Sequence, residues 1–132
     1  MTGPAIEIVA AVLRDGAGRV LTVRKAGAAR FMLPGGKREP GEADLITLAR
    51  ELQEELGLVL DPASARALGR FEAPAANEPG RRVLGVIFQA QAAGEPQIAA
   101  EIAEMLWLPP QPPYAVPLAP LLEFEVLPRL RA

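Results

Sequence analysis

Three glutamates, Glu51, Glu54 and Glu55, stand at i, i+3 and i+4 of one segment, a spacing that sets their carboxylates on a shared face if the segment is helical. Like charges so placed each cost a helix about 0.2–0.5 kcal/mol, a penalty that a bound divalent cation reverses. Hard oxygen ligands with room for water and phosphate favour Mg²⁺ or Mn²⁺. The chain has no histidine and no cysteine. Thiol nucleophiles, Ser-His-Asp triads, zinc fingers and His-ligated metals are therefore excluded, and catalysis must run on carboxylates, Arg, Lys or hydroxyls. Arg50 lies one turn before Glu54, where it can support that carboxylate or reach a substrate phosphate. Glu42 sits where the positive end of a helix dipole would favour it. The alternative for the same residues is a solvated acidic face.

The element that must carry these groups runs from Ala43 to Leu56. Its apolar residues Leu45, Leu48, Ala49, Leu52 and Leu56 form one helical stripe, and Gly57 stands at a C-cap position. The acidic face is expected to point away from that stripe, toward solvent or a cleft. Upstream, Ile6 to Arg14 and Val20 to Lys25 read as a β-hairpin around Asp15-Gly16-Ala17-Gly18. A short strand at Phe31-Met32-Leu33 is expected to stop at Pro34-Gly35-Gly36, which signals a tight turn or close backbone approach. Downstream, strands are expected near Ala67 to Ala73 and Val83 to Ala92, joined by the turn residues Asn77-Glu78-Pro79-Gly80. A segment at Ala100 to Glu104 leads into Met105 to Leu108. Seven of the fourteen prolines fall between Pro109 and Pro128. Residues 109–117 should form an extended connector, and 118–130 a last helix limited by Pro120 and Pro128.

The 132 residues suit one domain over 1–132, with roughly two-thirds of the extended-chain surface removed from water on folding. A net charge of -2 and a pI near 5.2 argue against duplex nucleic acid as a partner and leave a small nucleotide open. The opening MTGPAIEIVAAVL has no basic region, and Glu7 interrupts its apolar run, so neither a signal peptide nor a membrane span is expected; the chain reads as cytoplasmic. Glutamates outnumber aspartates thirteen to three, and Glu39, Glu42, Glu51, Glu54 and Glu55 fall within seventeen residues, so the weak net charge understates a strong local field.

Residues 36 to 58, GKREPGEADLITLARELQEELGL, resemble the Nudix box, the signature of the Nudix hydrolase family. Its fixed positions are filled by Gly36, Glu42, Arg50-Glu51-Leu52, Glu54-Glu55, Gly57 and Leu58, with Leu33-Pro34-Gly35 leading in. A P-loop would instead need Gly at 31 and Ser or Thr at 38, where Phe31 and Arg38 stand. The resemblance covers most of residues 5 to 108. It implies an α/β (α+β) fold, an α/β/α sandwich on a mixed sheet, and divalent-metal-dependent hydrolysis of a diphosphate linkage in a nucleoside diphosphate joined to another group. It further implies Glu51, Glu54, Glu55 and the Gly36 carbonyl as metal ligands, Arg50 as the residue orienting a catalytic carboxylate, and Glu42 as a support behind them. Which carboxylate is the base stays open. A downstream acid is expected at Glu101, with Glu104 and Glu78 as rivals. Substrate contacts are expected at Lys37, Arg24 and Phe31, with Arg38, Arg14 and Arg82 as further phosphate contacts and Phe71, Phe88 and Trp107 as further stacking faces. A MutT-like triphosphate pyrophosphohydrolase competes with an enzyme for ADP-ribose or nucleotide sugars; the alternative is a non-catalytic nucleotide-binding regulatory module. Homodimers occur in the family, and the Pro-rich tail is the region expected at such an interface.

Overall fold

A computed structural model describes residues 4–131. Six strands, β1 (Ile6–Val12), β2 (Val20–Lys25), β3 (Gly35–Gly36), β4 (Val59–Pro74), β5 (Arg82–Ala93) and β6 (Ile102–Leu108), accompany one long helix, α1 (Asp44–Leu56). A π-helix over Leu121–Val126 runs directly into a short α2, Leu127–Leu130. The main sheet has the order β3-β1-β5-β4, with β1 and β5 parallel and the other pairs antiparallel; β2 and β6 form a second, two-stranded sheet.

The main sheet is covered on both faces, and the period-two alternation of β1 shows how. Val9, Ala11 and Leu13 pack with Leu48, Leu52 and Leu56 of α1, whereas Ala10 and Val12 pack with Leu121, Leu122, Val126 and Leu127 at the C-terminal end. The result is an α/β/α sandwich. The three leucines of α1 are 0% exposed, and at about 1.5–3 kcal/mol each their burial outweighs the like-charge penalties among the helix glutamates. Gly57 closes α1 in the left-handed conformation, φ 67°, as its position after the stripe predicts. Ala43 at the N-cap offers no side-chain cap.

The expected β1–β2 hairpin forms only at its turn. Around Asp15–Gly18 the chain reverses with the Arg14–Val20 bridge and hydrogen bonds from the Asp15 N–H to the Arg19 carbonyl and from the Leu21 N–H to the Leu13 carbonyl. Beyond that corner β1 enters the main sheet while β2 pairs with β6, because each has a longer apolar partner elsewhere: seven paired positions with β5 and six with β6. Phe31 and Met32 make only isolated bridges, and the strand expected there lies instead at Gly35–Gly36 itself. Gly35 sits at φ 152° against β1, where a Cβ would lie 2.1 Å from the Val9 carbonyl oxygen, so this pairing requires glycine.

Residues 109–117 contain neither helix nor strand, as the prolines predict. The terminal helix is wound as a π-helix for a reason visible in its sequence. Its buried pairs Leu121/Leu122 and Val126/Leu127 repeat every five residues, a spacing an α-helix would splay by about 140°. With the Leu127 N–H bonded to the Leu122 carbonyl, five residues back, both pairs face the sheet.

Candidate active site

The loop from Gly36 to Ala43 and the helix behind it are tied together by one guanidinium. Arg50 Nε and Nη2 donate to the two oxygens of Glu42 at 2.8 Å each, and Nη2 also donates to the Lys37 carbonyl at 3.1 Å. Nη1 donates to Glu51 Oε1 at 3.2 Å and lies 3.6 Å from Glu54. Glu42 accepts further hydrogen bonds from the Glu39 N–H and the Thr47 hydroxyl, each at 2.8 Å. The Arg50 hydrogen bonds, with those from Glu39 and Thr47, hold the Glu42 carboxyl down at about 2. The Glu42 hydrogen bonds, with the charges of Glu39, Glu42 and Glu51 and against burial, raise the Arg50 pKa further above its ordinary value. Arg50 is therefore spent on bracing the loop and reaching the glutamates, and it is not a free phosphate contact.

The acidic face departs from the expectation that it turns wholly away from the core. Glu54 is exposed, Glu51 half-buried, and Glu55 only 2% exposed. Seven residues bring a helix back to within about 20° of its starting direction, so Glu55 shares the inward face of Leu48. A solvated acidic face thus describes Glu54 alone. Glu55 Oε1 accepts the Gly35 N–H at 3.2 Å, and Oε2 is buried with no partner among the described residues. Burial, with the charges of Glu51 and Glu101 and against the Gly35 hydrogen bond and Lys25, pushes Glu55 up to about 8. Burial also raises Glu51, with a smaller upward push from Glu54, against the pull of Arg50 and Lys25.

Gly36 lies against Glu51. A Cβ there would fall 2.6 Å from the Glu51 carboxylate, so the glycine leaves space for that group at the sheet edge. As placed, no three acidic side chains among the described residues converge on one point. The donor types nonetheless fit a hard divalent cation: Glu55 has an unpartnered buried carboxylate oxygen beside Gly35, Glu51 lies against Gly36, and Glu54 is exposed one helical turn after Arg50.

The segment before β6 docks on the end of α1, where the Gln97 and Ala99 N–H groups donate to the Leu56 and Glu55 carbonyls at 3.0 Å. This docking brings Glu101 within electrostatic reach of Glu55. Glu104 instead pairs with Arg24 at 2.7 Å across β2 and β6, and Glu78 lies on the β4–β5 turn, 3.6 Å from Arg81. Arg24 also donates to the Ala28 carbonyl at 2.8 Å, so it braces a loop rather than facing substrate. Its neighbour Lys25, which the sequence reading passed over, does reach the site. It stands 3.4 Å from Glu101, lowers both Glu51 and Glu55, and lines a cleft of about 170 Å³ beside Gly35, Gly36 and Lys37. Strand alternation, which turns adjacent residues to opposite faces, is the signal that separates Lys25 from Arg24.

The expected aromatic platforms lie elsewhere. Phe31 is 5% exposed and packed in the core beside Leu118, so its ring has no face open for stacking. Phe71 is buried under the Arg129 guanidinium, 4.6 Å from the ring centroid; Phe88 and Trp107 pack on the opposite, α1 side of the sheet. Of the other cations, Arg38 is held by Asp44 at 2.6 Å and Glu7 at 3.1 Å, Arg82 by Glu72 at 2.7 Å, and Arg14 donates to the Leu130 carbonyl at 2.9 Å.

A mixed sheet sandwiched between helices, with a glutamate-bearing helix braced against a Gly-Gly edge strand, defines the class to which the comparisons also point. The family model for the NUDIX domain matches residues 5–130. The chain belongs to the NUDIX family, and with it to the hydrolases that act on phosphorus-containing anhydrides. Among solved structures it is similar to a MutT NUDIX hydrolase from Burkholderia pseudomallei, at 24% identity and TM-score 0.68 over 80% of this chain and 83% of that one. It is also similar to the E. coli ORF135 protein, at 28% identity and TM-score 0.64 over 82% and 79%. A UDP-X diphosphatase aligns at 20% identity and TM-score 0.75, over 97% of this chain and 63% of that one. No curated protein matches the chain. No helix among the described residues is long and apolar enough to cross a membrane.

Proposed function

We propose that the chain hydrolyses a diphosphate linkage in a nucleoside diphosphate derivative, with Mg²⁺ or Mn²⁺ held by Glu51, Glu54, Glu55 and the Gly36 carbonyl. The observation that carries this reading is Glu55: a carboxylate buried beside the Gly35–Gly36 edge, one oxygen bonded to the Gly35 N–H and the other unpartnered, where that same glycine edge lines a cleft. A structural carboxylate so buried would be expected to have both oxygens bonded.

A divalent cation, when bound, would neutralise phosphoryl oxygens and lower the pKa of a coordinated water. The chain's own groups do the rest. Glu42 fixes Arg50, and Arg50 holds Glu51 and draws on Glu54, so the carboxylates keep their positions as charge moves. Glu101, across from Glu55, adds a downstream acid. Lys25 and Lys37, at the cleft beside Gly36, offer cations to the phosphate chain. The cleft's apolar wall receives the nucleoside end. The similarities to MutT-type structures and to a UDP-X diphosphatase leave a nucleoside triphosphate and a nucleotide sugar as the two substrate classes to separate.

The test is a panel of nucleoside triphosphates, nucleotide sugars and dinucleoside polyphosphates incubated with Mg²⁺, with released phosphate or mononucleotide as readout and Glu54→Gln as control. Cleavage by the wild type and its loss in the variant are expected. A wild type that cleaves nothing, or a variant with full activity, overturns the assignment.

A further inference from the structure

The cleft beside Gly36 has walls of Ile6, Ile8, Val83, Leu121 and Leu122, and none of the described residues that line it is aromatic. Aliphatic walls give a flat ring contact area but no preferred in-plane direction, unlike the stacked arrangement an aromatic face would impose. Orientation must come from polar atoms at the rim. Four ionic or amide side chains line it: Lys25, Lys37, Asn77 and Glu78. Both lysines line the cleft with the Gly35–Gly36 edge, and Lys25 acts on Glu51 and Glu55.

Asn77 and Glu78 stand on the turn joining β4 to β5. The Asn77 carboxamide makes no hydrogen bond among the described residues, and Glu78 has only a 3.6 Å exposed pair with Arg81, an interaction worth little. Their backbone is fixed nonetheless. The Arg81 N–H donates to the Glu78 carbonyl at 3.0 Å, the Ala75 N–H to the Arg81 carbonyl at 2.9 Å, and Arg81 Nη2 to the Pro4 carbonyl at 2.8 Å. Asn77 also lines a second, open depression together with Lys25, Ala26 and Gly27, so the turn borders the cleft on the side of Lys25.

The turn therefore presents a carboxylate that can only accept hydrogen bonds, next to an amide that can donate as well as accept. An amino base offers an N–H donor beside a ring-nitrogen lone pair, the order that an accepting Glu78 and a donating Asn77 match, whereas a keto base offers a carbonyl beside a ring N–H, the reverse order. We propose, on the basis of the diphosphate-hydrolysing reading above, that Asn77 and Glu78 select nucleotides whose base carries an exocyclic amino group over their keto counterparts.

The experiment compares matched pairs that differ only in this group, cytidine against uridine and adenosine against inosine, as triphosphates and as diphosphate sugars. The wild-type ratio of kcat/KM favours the amino member by about three- to tenfold, the worth of one hydrogen bond. Asn77→Ala lowers that ratio. Glu78→Gln, whose amide can donate to a carbonyl, brings it to one or inverts it. A wild-type ratio of one, or ratios that neither variant moves, overturns the proposal; a variant that only loosens the turn lowers both members alike and counts against it. If no nucleotide is hydrolysed, the catalytic reading fails separately. The same pairs are then compared by thermal stabilisation, where equal shifts for amino and keto members overturn the selection.

Discussion

Glu42 and Glu55 sit thirteen residues apart on one loop and helix, and their carboxyls are driven in opposite directions. Glu42 has a bidentate arginine, a backbone N–H and a hydroxyl, and is held at about 2. Glu55 is buried with one backbone N–H and the charges of Glu51 and Glu101 nearby, and is pushed to about 8. The same functional group is thus a finished structural brace at one end of the segment and an unfinished ligand at the other. Burial without partners separates the two: Glu42 is complete without anything further, whereas Glu55 has an oxygen left for a proton or a cation.

Glu55→Gln tests that contrast hardest. Activity is expected to fall by about 10²–10³-fold, the cost of removing a group that stabilises developing charge. The metal-free protein should meanwhile become more stable at pH 8, because a neutral amide keeps the Gly35 hydrogen bond without the desolvation penalty. Kinetics and chelated thermal melts on one preparation check both; a fall in activity and stability together would make Glu55 a structural residue. Gly36→Ala should follow, with activity down about 10²-fold from displacing the Glu51 carboxylate. Its melting temperature should barely change, since the group that gives way is the end of a flexible side chain. Glu42→Gln reverses the Glu55 pattern: a lower melting temperature in both metal-free and metal-loaded protein, with activity reduced about 10–100-fold through the loosened arginine.

The pH dependence of the metal-free protein sharpens the same comparison. Glu55 has a folded pKa above its ordinary value, so its contribution is best when protonated and stability is lost as pH rises from about 4.5 through about 8. Glu42 has a folded pKa below its ordinary value, so its contribution is present above about 4.5 and lost as pH falls toward about 2. Together they place their stability maximum near pH 4.5, and millimolar Mg²⁺ should move it upward; melts across pH with and without chelator would show it. Arg24→Ala gives the smallest effect, within about 1 kcal/mol of stability and near-wild-type activity, because it removes a largely surface brace on β2 and β6.

Local signals proved sufficient wherever a single element answered to its own periodicity. The α1 stripe, the Gly57 cap, the β4–β5 turn and the proline connector all follow from spacing and from the φ preferences of Gly and Pro. The five-residue repeat Leu121/Leu122 and Val126/Leu127 was equally legible, although reading it as an ordinary helix overlooked the π-winding. Partner choice was not legible. Whether β1 folds back on β2 or joins β5 depends on which pairing buries more apolar surface, and both partners lie far along the chain.

The sequence by itself determined the chemistry available: no imidazole or thiol, a dense run of glutamates on one helix, and the residues of the Nudix box in register. Tertiary structure decided which of those glutamates differ from the rest. Helical spacing alone makes Glu51, Glu54 and Glu55 near equivalents, but packing α1 on the sheet buries Glu55 beside Gly35, and docking the segment before β6 brings Glu101 toward it. It likewise chose Lys25 over Arg24 and took Phe31 into the core. Charge type is a property of the residue, whereas desolvation and proximity belong to the fold, and these set the separate states of Glu42 and Glu55.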